Sequence, residues 1–183
     1  MTEANLDTRS LRNALGHYTT GVTIVTTRTP NGAHTGVTVN SFTSVSLEPP
    51  LVLFCLAMRS SLLAAFEQAS HFAINVLAKG QQGLSNRFAR PSSNTWEEVK
   101  YRIGSDGCAL LTGALGTFEC ARHDTYPAGD HLILVGRVVR FEAVPTGESL
   151  AFCQGSYGTF TRDQSGVMAP ADSSLSDFVS YWG

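Results

Sequence analysis

The chain has 183 residues, 43% of them hydrophobic and 15% charged, and a net charge of −2. That length suits one domain able to bury roughly 70% of its unfolded surface, and the absence of any basic run excludes nucleic acid as a main partner. No apolar run approaches the ~18 residues that span a bilayer, and MTEANLDTRSLRNAL lacks the basic-then-apolar profile of a signal peptide, so a soluble cytoplasmic protein is the expectation.

In chain order, Asp7 and Thr8 precede a helical pattern in which Leu11, Ala14, Leu15 and Tyr18 fall on one face. Residues 22–27, VTIVTT, alternate as a strand, and Pro30-Asn31-Gly32 is turn chemistry that predicts a hairpin into residues 35–40. Residues 51–57 read as a strand buried on both faces. Ser60 and Ser61 offer an N-cap to a short helix, LLAAFEQA. A strand is expected at 72–77 and a second short helix at 80–89, with Leu84 and Phe88 on one side. Further strands are expected at 110–115, 116–123 and 131–143.

Behind Ser174, the residues Leu175, Phe178, Val179 and Trp182 recur at helical spacing. This divides the chain into a domain of residues 1–162 and a tail of residues 163–183 carrying a short amphipathic helix. Such a stripe docks on its own domain or grips a partner subunit. Many short strands with few, short helices predict a mainly β fold, a closed or partly closed antiparallel barrel.

Several chemistries have no signature. No GxGxxG follows a strand, no P-loop is present, and no GxSxG elbow marks a hydrolase. The histidines show no tight ligand spacing, so no metal is expected. Cys55, Cys108, Cys120 and Cys153 form no CxxC pair and read as reduced thiols, two of them in apolar strand-like runs.

Three segments carry polar groups that need explaining. Thr38, Asn40, Ser41, Thr43, Ser44 and Ser46 crowd into nine residues interleaved with Val39, Phe42 and Val45. A buried strand would have to satisfy each hydroxyl. The run is therefore either a strand edge facing a polar planar ligand or an exposed edge bonded to water. Arg59-Ser60-Ser61, with Arg87 in Asn86-Arg87-Phe88, suits a phosphate, or else is simple capping and a solvated arginine. Asp130 and His131 sit at the start of the long 131–143 strand, either as a turn or as hydrogen-bonding groups at a barrel mouth.

Taken in order and spacing, LRNALGHYTTGVTIVTT, GVTVNSFTSVSLEPPLVLFCL, LSNRFA and YPAGDHLILVGRV resemble the short-chain flavin reductase family. These are the reductase components of two-component flavin-dependent monooxygenases. The resemblance runs from about Leu11 to Phe160 and implies an FMN-binding split β-barrel, a homodimer, and hydride transfer from NADH or NADPH to FAD or FMN. Reduced flavin would pass to a separate monooxygenase.

Carried over by position, Thr38, Val39, Asn40, Ser41, Ser44, Val45 and Ser46 would line the flavin ring and ribityl chain. Cys55, Leu56, Ala57, Ser60 and Ser61 would continue toward the phosphate, and Arg87, Phe88 and Ala89 would complete the phosphate or adenine side. The resemblance makes His131 the catalytic-site residue, contacting the nicotinamide nucleotide as a positioner, with Asp130 beside it. The segment from Gly155 to Phe160 matches the family pattern only loosely; through it Tyr157 joins the cofactor-binding set. Rival readings are a flavin binder without reductase activity, an oxidase of the pyridoxamine-phosphate type, and a non-enzymatic interaction domain.

Overall fold

A computed structural model describes residues 6–90, 92 and 95–160. The first expected helix is α1, Thr8–Leu15, where the Asp7 carboxylate accepts from the amides of Arg9 and Ser10 at 3.2 and 3.1 Å. A two-residue strand β1, Thr20–Gly21, leads into β2, Thr23–Arg28. β2 forms the predicted hairpin with β3, His34–Val39, and Gly32 takes a φ of +85° in the turn that joins them.

Next come β4, Thr43–Leu47, and β5, Pro50–Ala57. β5 corrects the expectation of a strand buried on both faces. Val52, Phe54 and Leu56 are buried while Leu51, Leu53 and Cys55 stay half-buried, because only one face of this sheet meets the main core. Helix α2, Leu63–Gln68, begins later than its serines implied. Leu62 is its N-cap without a side-chain bond, and the Ser60 hydroxyl accepts from the Leu62 amide at 3.3 Å, one residue ahead of the helix.

Strand β6, His71–Val76, and helix α3, Gln82–Ala89, fall where expected. The short strands β7, Tyr101–Ile103, and β8, Ala109–Leu111, pair with each other. β9, Gly116–Ala128, and β10, His131–Ala143, are longer than the sequence pattern promised for the first of them. The polar stretch ARHDTYPA is extended because it ladders onto β10, ending with Ala128 opposite His131. β11, Leu150–Cys153, and β12, Ser156–Thr159, close a small sheet on β1.

The main sheet has seven strands in the order β3-β2-β6-β9-β10-β5-β4, all antiparallel. Its two edge strands, β3 and β4, are consecutive in sequence and joined only by residues 40–42. In a flat sheet, six spacings of ~4.8 Å would put the edges roughly 29 Å apart. Four Cα steps from Val39 to Thr43 reach at most about 15 Å. The sheet must curl, and Ser41 pins the connecting residues to β5. Its hydroxyl accepts from the Cys55 amide at 2.9 Å and lies 3.3 Å from the Cys55 carbonyl oxygen, which it can also serve as a donor. Among the described residues no ladder joins β3 to β4.

Inside the curl pack Val25, Phe54, Phe66, Phe72, Ile74 and Leu134, each contributing about 1.5–3 kcal/mol of burial. Phe54 meets Phe66 and Phe72 edge-on at 5.6 and 5.2 Å. Gly136 is required there, since a Cβ would lie 2.3 Å from Phe72 Cζ. A second cluster, with Ile24, Leu77, Phe88 and Leu150, anchors the small sheet and α3.

Burial pushes the Cys108 and Cys120 thiols up to about 12, so both are inert at neutral pH. Among the described residues no helix is long and apolar enough to cross a membrane. The expected helix behind Ser174 lies outside the described residues.

Candidate functional site

β3 and β4, as sheet edges, present backbone groups that no neighbouring strand uses among the described residues. The hydroxyls along them are less free than their number implies. Thr38 donates to the Ser85 carbonyl at 2.7 Å, Ser41 holds the Cys55 backbone, and Ser46 donates to the Pro49 carbonyl. Val39 is buried in the core. A register shift between Ser44 and Ser46 makes Val45 the extra residue of a bulge. Asn40, Thr43, Ser44 and Val45 are the exposed members of the strip.

At the start of β3 a pocket of about 320 Å³ is lined by His34, Thr35, Gly36, Ser61, Leu62 and Trp96, with Ser92 and Thr95. Gly36 is a close-approach position: a Cβ would lie 3.0 Å from Phe88 Cε1 and 3.1 Å from the Val25 carbonyl. Phe88 is wholly buried and edge-on to Trp96 at 5.0 Å, so it supports the pocket wall and meets no solvent. His34 packs against Trp96 and Tyr101, and its Nδ1 is buried without a partner. Burial, helped by the Arg28 charge, pushes the His34 imidazole pKa down and keeps the ring neutral at pH 7. Arg87 is exposed and donates to the Glu97 carbonyl, beside the loop that carries Trp96; Ala89 is exposed at the end of α3.

The tip of the β9–β10 hairpin lies over the end of β5. His131 pairs with Ala57 across the ladder, and the Met58 amide donates to the Asp130 carbonyl at 2.9 Å. His131 Nδ1 is 2.7 Å from Asp130 Oδ1. That hydrogen bond first, then the histidine charge, with Arg59 a smaller contributor, holds the Asp130 carboxyl below its ordinary 3.8. Ladder pairing and the short chain from Ala57 thus gather His131, Asp130, Arg59 and Ser60 at one corner. Cys55 and Leu56 lead to it along β5. Leu56 is buried in the core, and burial pushes the Cys55 thiol up.

Tyr157 on β12 points its hydroxyl at α3, 2.9 Å from Ser85 Oγ and 3.1 Å from Asn86 Oδ1. Because Thr38 bonds the Ser85 carbonyl, Ser85 links β12, α3 and β3. A cleft of about 760 Å³ is lined by the end of α1, by Asn40 and by the β11–β12 turn. Of its lining, only Asn40 is among the residues assigned to the cofactor site from sequence. The signal that could have found it is Gln154-Gly155, a two-residue turn between the short runs LAFC and SYGT.

Residues 15–161 match the flavin reductase like domain. The chain belongs to that family. It is 48% identical over 156 residues to the FMN reductase (NADH) of Agrobacterium fabrum, covering 85% of this chain and 88% of that protein. It is 40% identical to the reductase component of the flavin-dependent trigonelline monooxygenase of Acinetobacter baylyi, covering 88% of this chain but 52% of that protein. Among solved structures it is similar to the NADH:FAD oxidoreductase of Streptomyces globisporus in complex with NAD and FAD fragments. There the identity is 36% and the TM-score 0.82, over 88% of this chain and 99% of that one.

The flavin reductase domain of this chain therefore arranges its sequence-marked residues in three places. Ser61 lines the small pocket at the start of β3, with Arg87 and Phe88 near its wall, while Asn40 lines the large cleft at the other end. Ser60 and His131 stand at the hairpin corner. The small pocket suits a phosphate-bearing flavin on its own chemistry: hydroxyls, a neutral imidazole with an orphaned buried nitrogen, and no carboxylate among the described residues of its lining.

Proposed function

We infer that this chain is an NAD(P)H-dependent flavin reductase that transfers hydride from NADH to FAD or FMN and delivers reduced flavin to a separate monooxygenase. Family membership over residues 15–161 is the observation that carries the reading. It is supported by relatives named for NADH-dependent reduction of FMN and FAD, and by one named as the reductase component of a monooxygenase. The curled seven-stranded sheet is read as an FMN-binding split barrel, and the working unit as a cytoplasmic homodimer.

When bound, the flavin supplies the two-electron acceptor chemistry; the protein supplies binding, orientation and electrostatics. The exposed edges of β3 and β4, at Asn40, Ser44 and Val45, offer polar groups to the rim of the ring. Thr38, Ser41 and Ser46 act indirectly, holding those edges in place through backbone bonds. Ser61 and Arg87 serve the phosphate, where a guanidinium adds charge-assisted bonds. Asp130 occupies Nδ1 of His131, which fixes the ring and leaves Nε2 to bond the nicotinamide nucleotide. His131 positions; no proton transfer is assigned to it.

The test is oxidation of NADH and of NADPH by the purified protein with FMN, FAD and riboflavin in turn. Oxidation that depends on added flavin is expected. No oxidation with any of the flavins overturns the reading.

A further inference from the structure

Among the described residues, helix α1 is bonded to the rest of the domain at its C-terminal end. The Gln154 amide donates to the Gly16 carbonyl at 2.8 Å, and Gln154 Nε2 lies 2.9 Å from His17 Nδ1. None of the helix side chains is buried. Leu11 is 45% exposed, Leu15 67%, and Tyr18, in the turn beyond the helix, 78%. With Ala14 they share one side of the helix and form an apolar stripe about two turns long. Eight residues of helix with no packed face are marginal in water. A partner for this stripe is therefore called for.

We propose that the stripe is the docking surface for the C-terminal segment of the same chain, residues 174–182, laid antiparallel along α1. The two patterns match. Leu175, Phe178, Val179 and Trp182 repeat the i, i+3, i+4, i+7 spacing of Leu11, Ala14, Leu15 and Tyr18. Antiparallel docking sets Trp182 beside Leu11 and Tyr18 beside Leu175, so that each of these aromatics meets a leucine.

The reach also fits. From Gly155, in the turn that holds α1, five strand steps to Phe160 cover about 17 Å. A coil as long as residues 161–173 spans roughly 20 Å. A tether whose span equals the distance to be bridged gives the highest effective concentration of its end.

Charge points the same way. Arg9 and Arg12 run along one flank of the stripe, and neither has an ion-pair partner among the described residues. Residues 163–183 carry Asp163, Asp172 and Asp177 and no lysine or arginine. In the antiparallel arrangement Asp172, just ahead of the segment, falls beside the last turn of α1, where Arg12 stands. Leu15 and Tyr18 also line the 760 Å³ cleft, so the docked segment stands at its rim. The docking draws nothing from the reductase reading, and its test needs no cofactor.

Amide hydrogen exchange of the full chain provides that test. The amides of residues 11–18 are expected to exchange slowly, a protection that an unpacked helix of this length lacks. Phe178→Asp should speed their exchange about 10-fold or more, the scale of one buried aromatic, while β2, β6 and β9 keep their protection. Arg12→Glu and Asp172→Lys should each speed it roughly 2–5-fold, and the two together should restore the original rate.

Equal α1 exchange in Phe178→Asp and the unaltered chain overturns the proposal. So does α1 protection that falls on dilution, the mark of a second copy on the stripe, or protection that arises only with added NADH or FAD. If Phe178→Asp loosens the whole domain, the charge exchange decides. Restoration in the double variant supports the docking, and a double variant as fast as Arg12→Glu alone overturns it.

Discussion

The polar strip at 38–46 and the hairpin tip at 126–131 look alike in sequence, each a run of side chains that can bond a ligand, yet the fold uses them differently. In the strip, Thr38, Ser41 and Ser46 bond backbone carbonyls or amides of their own chain. At the tip, His131 and Asp130 bond each other and otherwise face solvent, the aspartate side chain 92% exposed. Ser41 is consumed in the three-residue link between two sheet edges, where no ladder is available among the described residues; Thr38 and Ser46 lie on the ladders to β2 and β5, and their hydroxyls reach carbonyls of α3 and of the β4–β5 turn. The tip is free because its backbone is already paired in the ladders to β5 and β9.

The strongest blow to this contrast would come from the packing beneath the strip. Phe88, wholly buried under Gly36 and against Trp96, should cost roughly 3–5 kcal/mol when changed to alanine, read from the urea midpoint. A native-like midpoint would mean Phe88 is a ligand contact and no part of the core.

Ser41→Ala should cost about 1–3 kcal/mol by the same measurement, since the Cys55 amide loses its acceptor. It should also raise the flavin Kd by disturbing the strip. Weaker flavin binding with unchanged stability would show the hydroxyl to be a direct ligand and would erase the difference between the two regions.

At the tip, His131→Ala should leave the unfolding midpoint in place and the flavin Kd unchanged while raising the KM for NADH several-fold, on the scale of one lost hydrogen bond of about 1 kcal/mol. Unaltered steady-state NADH kinetics would remove His131 from the site.

The smallest effect is a titration. Asp130 in the folded chain should protonate below 3.8, held down chiefly by its bond to His131. A carboxyl depressed on folding contributes stability above its unfolded value and loses it as the pH falls through the folded one. The window therefore lies below pH 3.8. Carboxyl NMR should show the midpoint rising toward the ordinary value in His131→Ala; an unmoved midpoint would break the pairing.

Much of this was legible in the chain. Period-two alternation and Pro-Asn-Gly located the β2–β3 hairpin, and the capping aspartate located α1, because both signals are local. The misreadings share a cause. The run LVLFCLA looked buried on both faces, but burial depends on whether a second layer covers the sheet. DTYPA, beyond the strand expected at 116–123, gave no strand signal, since β10 supplies its pairing from outside. Ser61 looked like a cap, and the helix began two residues later. Within the site, family blocks located the residue types, while the cleft at α1 joins residues 12–20 to residues 152–155, a juxtaposition no local pattern encodes.

The sequence by itself determined the mainly β character, the elements whose periodicity is local, and the family, since the order and spacing of its blocks survive without coordinates. Only the tertiary structure decided which hydroxyls remain free, that Phe88 is core, and that Gln154 closes a cleft on α1. The reason is that hydrogen-bond satisfaction and burial are properties of a side chain's neighbours, and those neighbours are brought together only when the sheet curls.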